Sequence, residues 1–247
     1  MSAESAGEPL RPLPSDEAAH QPADEALWNE SWYFDFADPA AGLGGWIRLG
    51  LYPNEGRAWI NAIVCGPGLP TVALNDFRVA MPEDPTRVTT ADIALTQRAE
   101  ELLGSYRVTV SGRGEVYDDP SAALAGTDGR PAEVSLDLVW TTVGEPYRYR
   151  LATRYEIPCS VSGRVVVDGV THSIAAAAGQ RDHSWGVRDW WAMDWVWSAL
   201  HLEDGTHLHA VDIRIPGAPP IGLGYVQRDG DRLVELEYLL SHRGQRG

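Results

Sequence analysis

An adjacent acid and imidazole, Asp182 and His183, sit inside the stretch Gly179-Gln180-Arg181-Asp182-His183-Ser184-Trp185-Gly186-Val187-Arg188-Asp189-Trp190-Trp191. A second acid, Asp189, and two bases, Arg181 and Arg188, stand close by. Trp195 and Trp197 follow, so half of the ten Trp lie between 185 and 197. A core rarely needs so much indole in one place, because each buried N–H must find an acceptor. A pocket that grips an apolar or cationic species does use it. Asp182 is a candidate proton donor, a role that needs a raised pKa, and burial among indoles would disfavour its charged form.

Strands must position these groups, because the dominant period from Leu27 onward is two. In Tyr147–Ile157, Tyr147, Tyr149, Leu151, Thr153, Tyr155 and Ile157 share one face, and Arg148, Arg150, Arg154 and Glu156 the other. Val134–Trp140 and Ala58–Val64 alternate likewise, and Gly45–Tyr52 and Tyr106–Val110 are further strands by composition. Asp168-Gly169, Asp204-Gly205 and Asp229-Gly230 separate apolar runs, as two-residue type I′ hairpin turns would. One helix is expected over Thr89–Leu103, with Thr90 or Asp92 as its cap and Gly104 as its stop. The fold class is therefore mainly β, a barrel or sandwich with one short helix.

Residues 1–26 carry six acids, four Pro and one Arg, and read as a disordered acidic leader without the apolar run of an export signal. A soft boundary near Pro158 divides an N-terminal β domain, 27–158, from a C-terminal unit, 159–247, that carries the Trp-rich segment. A net charge of −15 argues against nucleic acid and against anionic lipid as partners. No apolar stretch is long enough for an integral membrane segment. Cys65 and Cys159 are expected as two reduced, buried thiols, and the compartment as cytoplasmic. His207 and His209 share a strand face, but no further residues complete a ligand set, so no metal site is expected. No cofactor is expected either, since neither a phosphate-binding Gly loop nor a nucleophile elbow is present.

Two motifs resemble a known family. Gly179-Gln180-Arg181-Asp182-His183-Ser184-Trp185-Gly186 is similar to the Gly-x-x-Asp-His-x-Trp-Gly signature of the carotenoid 1,2-hydratase (hydroxyneurosporene synthase) superfamily. Glu30-Ser31-Trp32-Tyr33-Phe34 resembles the Glu-Trp-Trp-Tyr-Phe that opens its first domain. Ser31 replaces a Trp, and Arg181 stands where hydratases usually have an aromatic. The resemblance implies two packed lipocalin-like antiparallel β-barrels, the second incomplete or closed by a partner, such as another copy in a homo-oligomer. It also implies an apolar small-molecule ligand, isoprenoid or polyketide-like.

The chemistry then implied is acid–base addition of water to a carbon–carbon double bond. Asp182 would protonate an alkene, Trp faces would stabilise the cation by about 0.5–2 kcal/mol each, and His183 or a second carboxylate would guide water. Asp189 is an alternative acid. Equally, Asp182 could serve a turn or pair with Arg181 or Arg188, and His183 could be a supporting group. In a strand the two side chains point to opposite faces, so one pocket can hold both only across a bend, which Gly179 or Gly186 could supply. Trp185, Arg188, Trp191, Trp195, Trp197 and Asp212 are the candidate substrate-binding residues. Asp212 joins them because an Asp204-Gly205 turn would place Trp197 opposite Asp212. A non-catalytic carrier, or a cyclase that acts by shape alone, would use the same cavity without a proton donor.

Overall fold

The computed structural model describes residues 10–236, apart from Gly68, Asp229 and the side chain of Leu124. In chain order its elements are β1 (Trp28–Asp38), β2 (Leu43–Tyr52), β3 (Arg57–Gly66), β4 (Leu69–Ala80), β5 (Arg87–Thr89), β6 (Ile93–Glu101) and β7 (Ser105–Tyr117). Then come α1 (Pro120–Leu124), β8 (Arg130–Thr142), β9 (Tyr147–Arg148), β10 (Arg154–Val167) and β11 (Val170–Val187). The last four strands are β12 (Asp194–His201), β13 (His207–Arg214), β14 (Ile221–Gln227) and β15 (Val234–Glu235).

All neighbouring strands pair antiparallel, and the larger sheet closes into a ring in the order β1-β2-β3-β4-β7-β8-β10-β11. The seam is β11 on β1, with Trp32 opposite His183 and Tyr33 opposite Asp182. This is a mainly β, lipocalin-like barrel. Its interior is filled by Trp32, Phe34, Ile60, Leu138, Trp140 and Val161, so it holds a packed core rather than a calyx. Pro158 lies inside β10, and the expected boundary at 158/159 falls in the middle of a barrel strand.

The second sheet, β12-β13-β14-β15, packs on the outer face of the ring. Its Val211 and Tyr225 form a separate apolar cluster with Tyr147, Tyr149 and Leu233. The expected single strand over Tyr147–Ile157 is in fact a hairpin, with β9 folded back on β10 so that Arg148 lies opposite Tyr155. The fold-back satisfies two apolar demands at once. Tyr147 and Tyr149 enter the outer cluster, while Tyr155 and Ile157 enter the barrel.

Three further expectations are corrected. Thr89–Leu103 forms parts of β5 and β6 rather than a helix, because Ile93, Leu95 and Gln97 are buried on alternate positions and pairing with β7 outweighs helix propensity. The leader is ordered from Leu10: Pro14–Glu17 forms a 3-10 turn whose Asp16 and Glu17 are buried. Residues 1–9 lie outside the described residues. Cys65 is exposed on the outward side of β3, and only Cys159 is a buried thiol. Asp168-Gly169 does form the expected turn, both residues having positive φ. Asp229 lies outside the described residues. No helix among them is long and apolar enough to cross a membrane.

Candidate active site

The alternation of β11 sends Asp182 and His183 to opposite sides of the barrel wall. The bend supplied by Gly186, at φ 104°, comes after the pair and does not reunite them. The two side chains therefore stand on opposite faces, as the period of the strand dictates.

On the outer face, Tyr33, Asp182 and Glu156 lie side by side across β1, β11 and β10. Arg154 binds both carboxylates, donating from Nη2 to Asp182 Oδ2 at 2.7 Å and from Nε to Glu156 Oε1 at 2.6 Å. Glu156 is fully buried and also accepts from Gln180 Nε2 at 3.0 Å and from Trp197 Nε1 at 3.1 Å. Burial pushes the Asp182 carboxyl up to about 8, against the pull of Arg154 and with help from the Glu156 charge. Burial also works against the Glu156 anion, but Arg154 and its other donors hold that carboxyl below its ordinary value. Of the pair, Asp182 is the member whose protonated form burial favours, and Glu156 is the one its donors hold as the anion. Asp35, which accepts the Gln180 N–H at 2.7 Å, is pushed by burial up to about 7.

The second sheet brings His209 against this row. Its Nε2 lies 3.5 Å from Glu156 Oε1 and is hydrogen-bonded to the Tyr149 hydroxyl, which in turn reaches Glu156 at 3.4 Å. Burial lowers the imidazole to about 4, so the ring is neutral and Nε2 can accept the phenol proton. Beside this group opens a cleft of about 230 Å³, walled by Tyr149, Arg154, Arg188, Trp190, Trp195 and Trp197 and by the aliphatic Val211, Ile213 and Leu223.

Of the expected substrate-binding residues, Arg188, Trp195 and Trp197 line this cleft. Trp185 does not: it points into the barrel and stacks on His20 at 3.9 Å. Trp191 is 97% exposed. Asp212 lies opposite Val196 and pairs with Arg214 at 2.9 Å on the other face of the sheet, while Trp197 lies opposite Val211. The register differs by one because the connection is five residues, 202–206, with the Leu202 N–H donating to Thr206 O at 2.9 Å. Asp189, the alternative acid, also lines the cleft, where it is exposed and accepts the Trp191 N–H at 3.0 Å. Tyr149, Arg154, Glu156 and His209 were not expected here. Their strand faces are visible in the sequence, but the packing of β13 on β10 that unites them is not.

On the inner face, His183 is fully buried beside Trp32, Tyr155, Glu30 and the leader. Its Nδ1 lies 2.7 Å from the Asp16 carbonyl. Arg181 points the same way and binds Glu17 at 2.5 Å, which also accepts from Tyr155 at 2.9 Å.

A family model described as Domain of unknown function (DUF7064) matches residues 13–240. The chain belongs to the DUF7064 family. Its match begins at Leu13, so the DUF7064 unit includes the leader turn that plugs the barrel. Among curated proteins no sequence match was found. Two solved structures share the fold of this DUF7064 protein. One is an AttH-like protein (NE1406) of Nitrosomonas europaea, with TM-score 0.60 and 18% identity, covering 95% of this chain and 74% of that one. The other is kievitone hydratase of Nectria haematococca, with TM-score 0.55 and 12% identity, covering 85% of this chain and 64% of that one. At such identities the likeness is one of fold.

Proposed function

We propose that this DUF7064 protein is a hydratase/lyase-type enzyme acting on an apolar, isoprenoid or polyketide-like substrate held in the Trp-lined cleft. One observation carries the reading: two buried carboxyls share the Arg154 guanidinium behind an aromatic cleft, and burial favours the protonated form of Asp182. A hydratase among the structures of the same fold and the Asp-His-x-Trp-Gly resemblance support it.

In this reading the substrate alkene lies against Trp190, Trp195 and Trp197. Asp182 gives its proton to one alkene carbon, and indole faces stabilise the cation formed at the other. Water attacks that carbon. Its proton passes to the Tyr149 oxygen as the phenol proton moves to His209 Nε2, and the imidazolium formed is balanced by Glu156. Return of the proton to Asp182 closes the cycle, so no redox cofactor is consumed. His183 takes no part in the cleft. Its buried place inside the barrel is a positioning one, tying the leader to the wall.

The test is incubation with a panel of prenylated and polyene alkenes, read by mass spectrometry for gain of one water. Wild type gives product, and Asp182→Asn gives none while apolar ligands still quench Trp fluorescence. Turnover unchanged in Asp182→Asn would remove the carboxyl from the mechanism. The exposed rim of the cleft, with Trp195 47% exposed, also suits a carrier. Quenching without product from any member of the panel would favour that second reading.

A further inference from the structure

The inner side of the same barrel wall holds a second cluster, outside the cleft. His20, Glu30 and His183 bring two ring nitrogens and one carboxylate oxygen within 4.8 Å of one another. Glu30 Oε1 lies 2.7 Å from His20 Nδ1 and 2.9 Å from His183 Nε2. Glu30 and His183 are buried, and the His20 side chain keeps 24% exposure, which gives the site an open edge.

Proton accounting at His183 is the informative point. The Asp16 carbonyl can only accept, so Nδ1 must carry the proton of that 2.7 Å bond. In the neutral ring Nε2 is then a bare lone pair, aimed at a carboxylate oxygen that is also an acceptor. A proton or a metal ion must lie between them. The surroundings are those of a ligand set. A ligating His characteristically donates its other N–H to a backbone carbonyl, which fixes the tautomer. Both rings are further held by indoles, His183 on Trp32 at 4.4 Å and His20 on Trp185 at 3.9 Å. The His20 backbone N–H also donates to Glu30, at 3.1 Å, and so fixes the carboxylate.

We infer that His20, Glu30 and His183 form a site for a divalent transition-metal ion of the zinc class, with its fourth position open to water past His20. Two imidazoles and one carboxylate suit zinc or ferrous iron rather than calcium or magnesium. Tetrahedral ligation would set the donors about 3.4 Å apart, so binding an ion opens both Glu30 contacts by roughly half an ångström or a little more. The ion would clamp the leader onto β1 and β11, because His20 comes from the former and its two partners from the latter.

The test is titration of chelator-treated full-length protein with Co²⁺, read by its visible absorption, followed by displacement with Zn²⁺. One equivalent should bind, and Zn²⁺ should raise the melting temperature. His20→Ala, a partly exposed change in the leader, and Glu30→Gln should each weaken binding at least about tenfold. Both should also abolish the thermal shift. A second close imidazole pair, His201 and His207 at 2.8 Å, serves as control, and a His201→Asn/His207→Asn variant should bind normally. Absence of binding, or binding that survives His20→Ala, would overturn the site and leave a buried imidazolium–carboxylate pair in its place. Hydratase activity is read separately, so failure of the metal site leaves the cleft reading intact.

Discussion

Asp182 and Glu156 stand directly opposite one another on β11 and β10, and Arg154 holds both at 2.7 and 2.6 Å. Burial and the neighbouring Glu156 charge favour the protonated form of Asp182, against the pull of Arg154 and Arg48. That proton is placed by strand register alone. Shifting β10 by one residue would turn both Arg154 and Glu156 into the barrel and strip Asp182 of both partners.

The retained proton makes stability depend on pH in a definite sense. The Asp182 carboxyl is pushed by burial up to about 8, above its ordinary 3.8. Its contribution is therefore fully present below about pH 4 and is lost as pH rises toward 8. Urea denaturation of wild type and Asp182→Asn across pH 4–9 should show wild type losing ground against the variant as pH rises. Alkene hydration should fall over the alkaline side of the same window, where the acid deprotonates. A difference that grows in favour of wild type with rising pH would show that Asp182 is folded as an anion.

Tyr149 separates water activation from proton donation. Tyr149→Phe keeps the ring in its cluster but leaves His209 Nε2 without the phenol. Turnover should fall about 10²–10⁴-fold with KM little changed. The lost buried hydrogen bond should cost about 1–3 kcal/mol in urea. Retained turnover would place the base elsewhere.

The fold class was legible because β-barrel strands declare themselves by alternation, as Val134–Trp140 and Ala58–Val64 do in β8 and β3. Asp182 was singled out instead by its place in the Asp-His-x-Trp-Gly motif among clustered Trp. Other features were hidden by distance or by competing local signals. Arg154 and Glu156 look like the wet face of a strand until β13 covers them. The Ala-, Glu- and Leu-rich run in β6 mimics a helix, and only pairing with Ser105–Tyr117 decides otherwise. The register at 202–206 turned on one residue of loop length, which an Asp-Gly pair does not specify. The leader misled because acidity and proline read as solvation, while the partner that buries Glu17 is Arg181, in β11 at the far end of the barrel sequence.

The cleft wall predicts a contrast between two neighbouring indoles. Trp195 lines the cleft at 47% exposure, whereas Trp191 is 97% exposed outside it. Trp195→Ala should weaken binding of an apolar alkene by up to about tenfold, as loss of a half-exposed aromatic wall does. Trp191→Ala should leave affinity unchanged, and neither change should lower the melting temperature much, since both side chains are half or fully open. Fluorescence titration of the two variants decides the point, and equal losses would move the ligand off this face.

The buried Glu17–Arg181 bridge predicts that the leader is part of the folded unit. Arg181 is 2% exposed, and its guanidinium lies against the Tyr106 and Tyr155 rings with Glu17 as its anionic partner at 2.5 Å. Removing one member of such a pair leaves a charge in a low-dielectric interior, which costs about 3–5 kcal/mol. Glu17→Gln should therefore lower the urea midpoint sharply, while Asp24→Asn, at an exposed position of the same segment, should not. An additional Arg181→Met change in the Glu17→Gln background should restore part of the loss, because it removes the stranded charge rather than adding a contact. If Glu17→Gln and Asp24→Asn gave the same midpoint, the leader would be an appendage resting on the barrel instead of its plug.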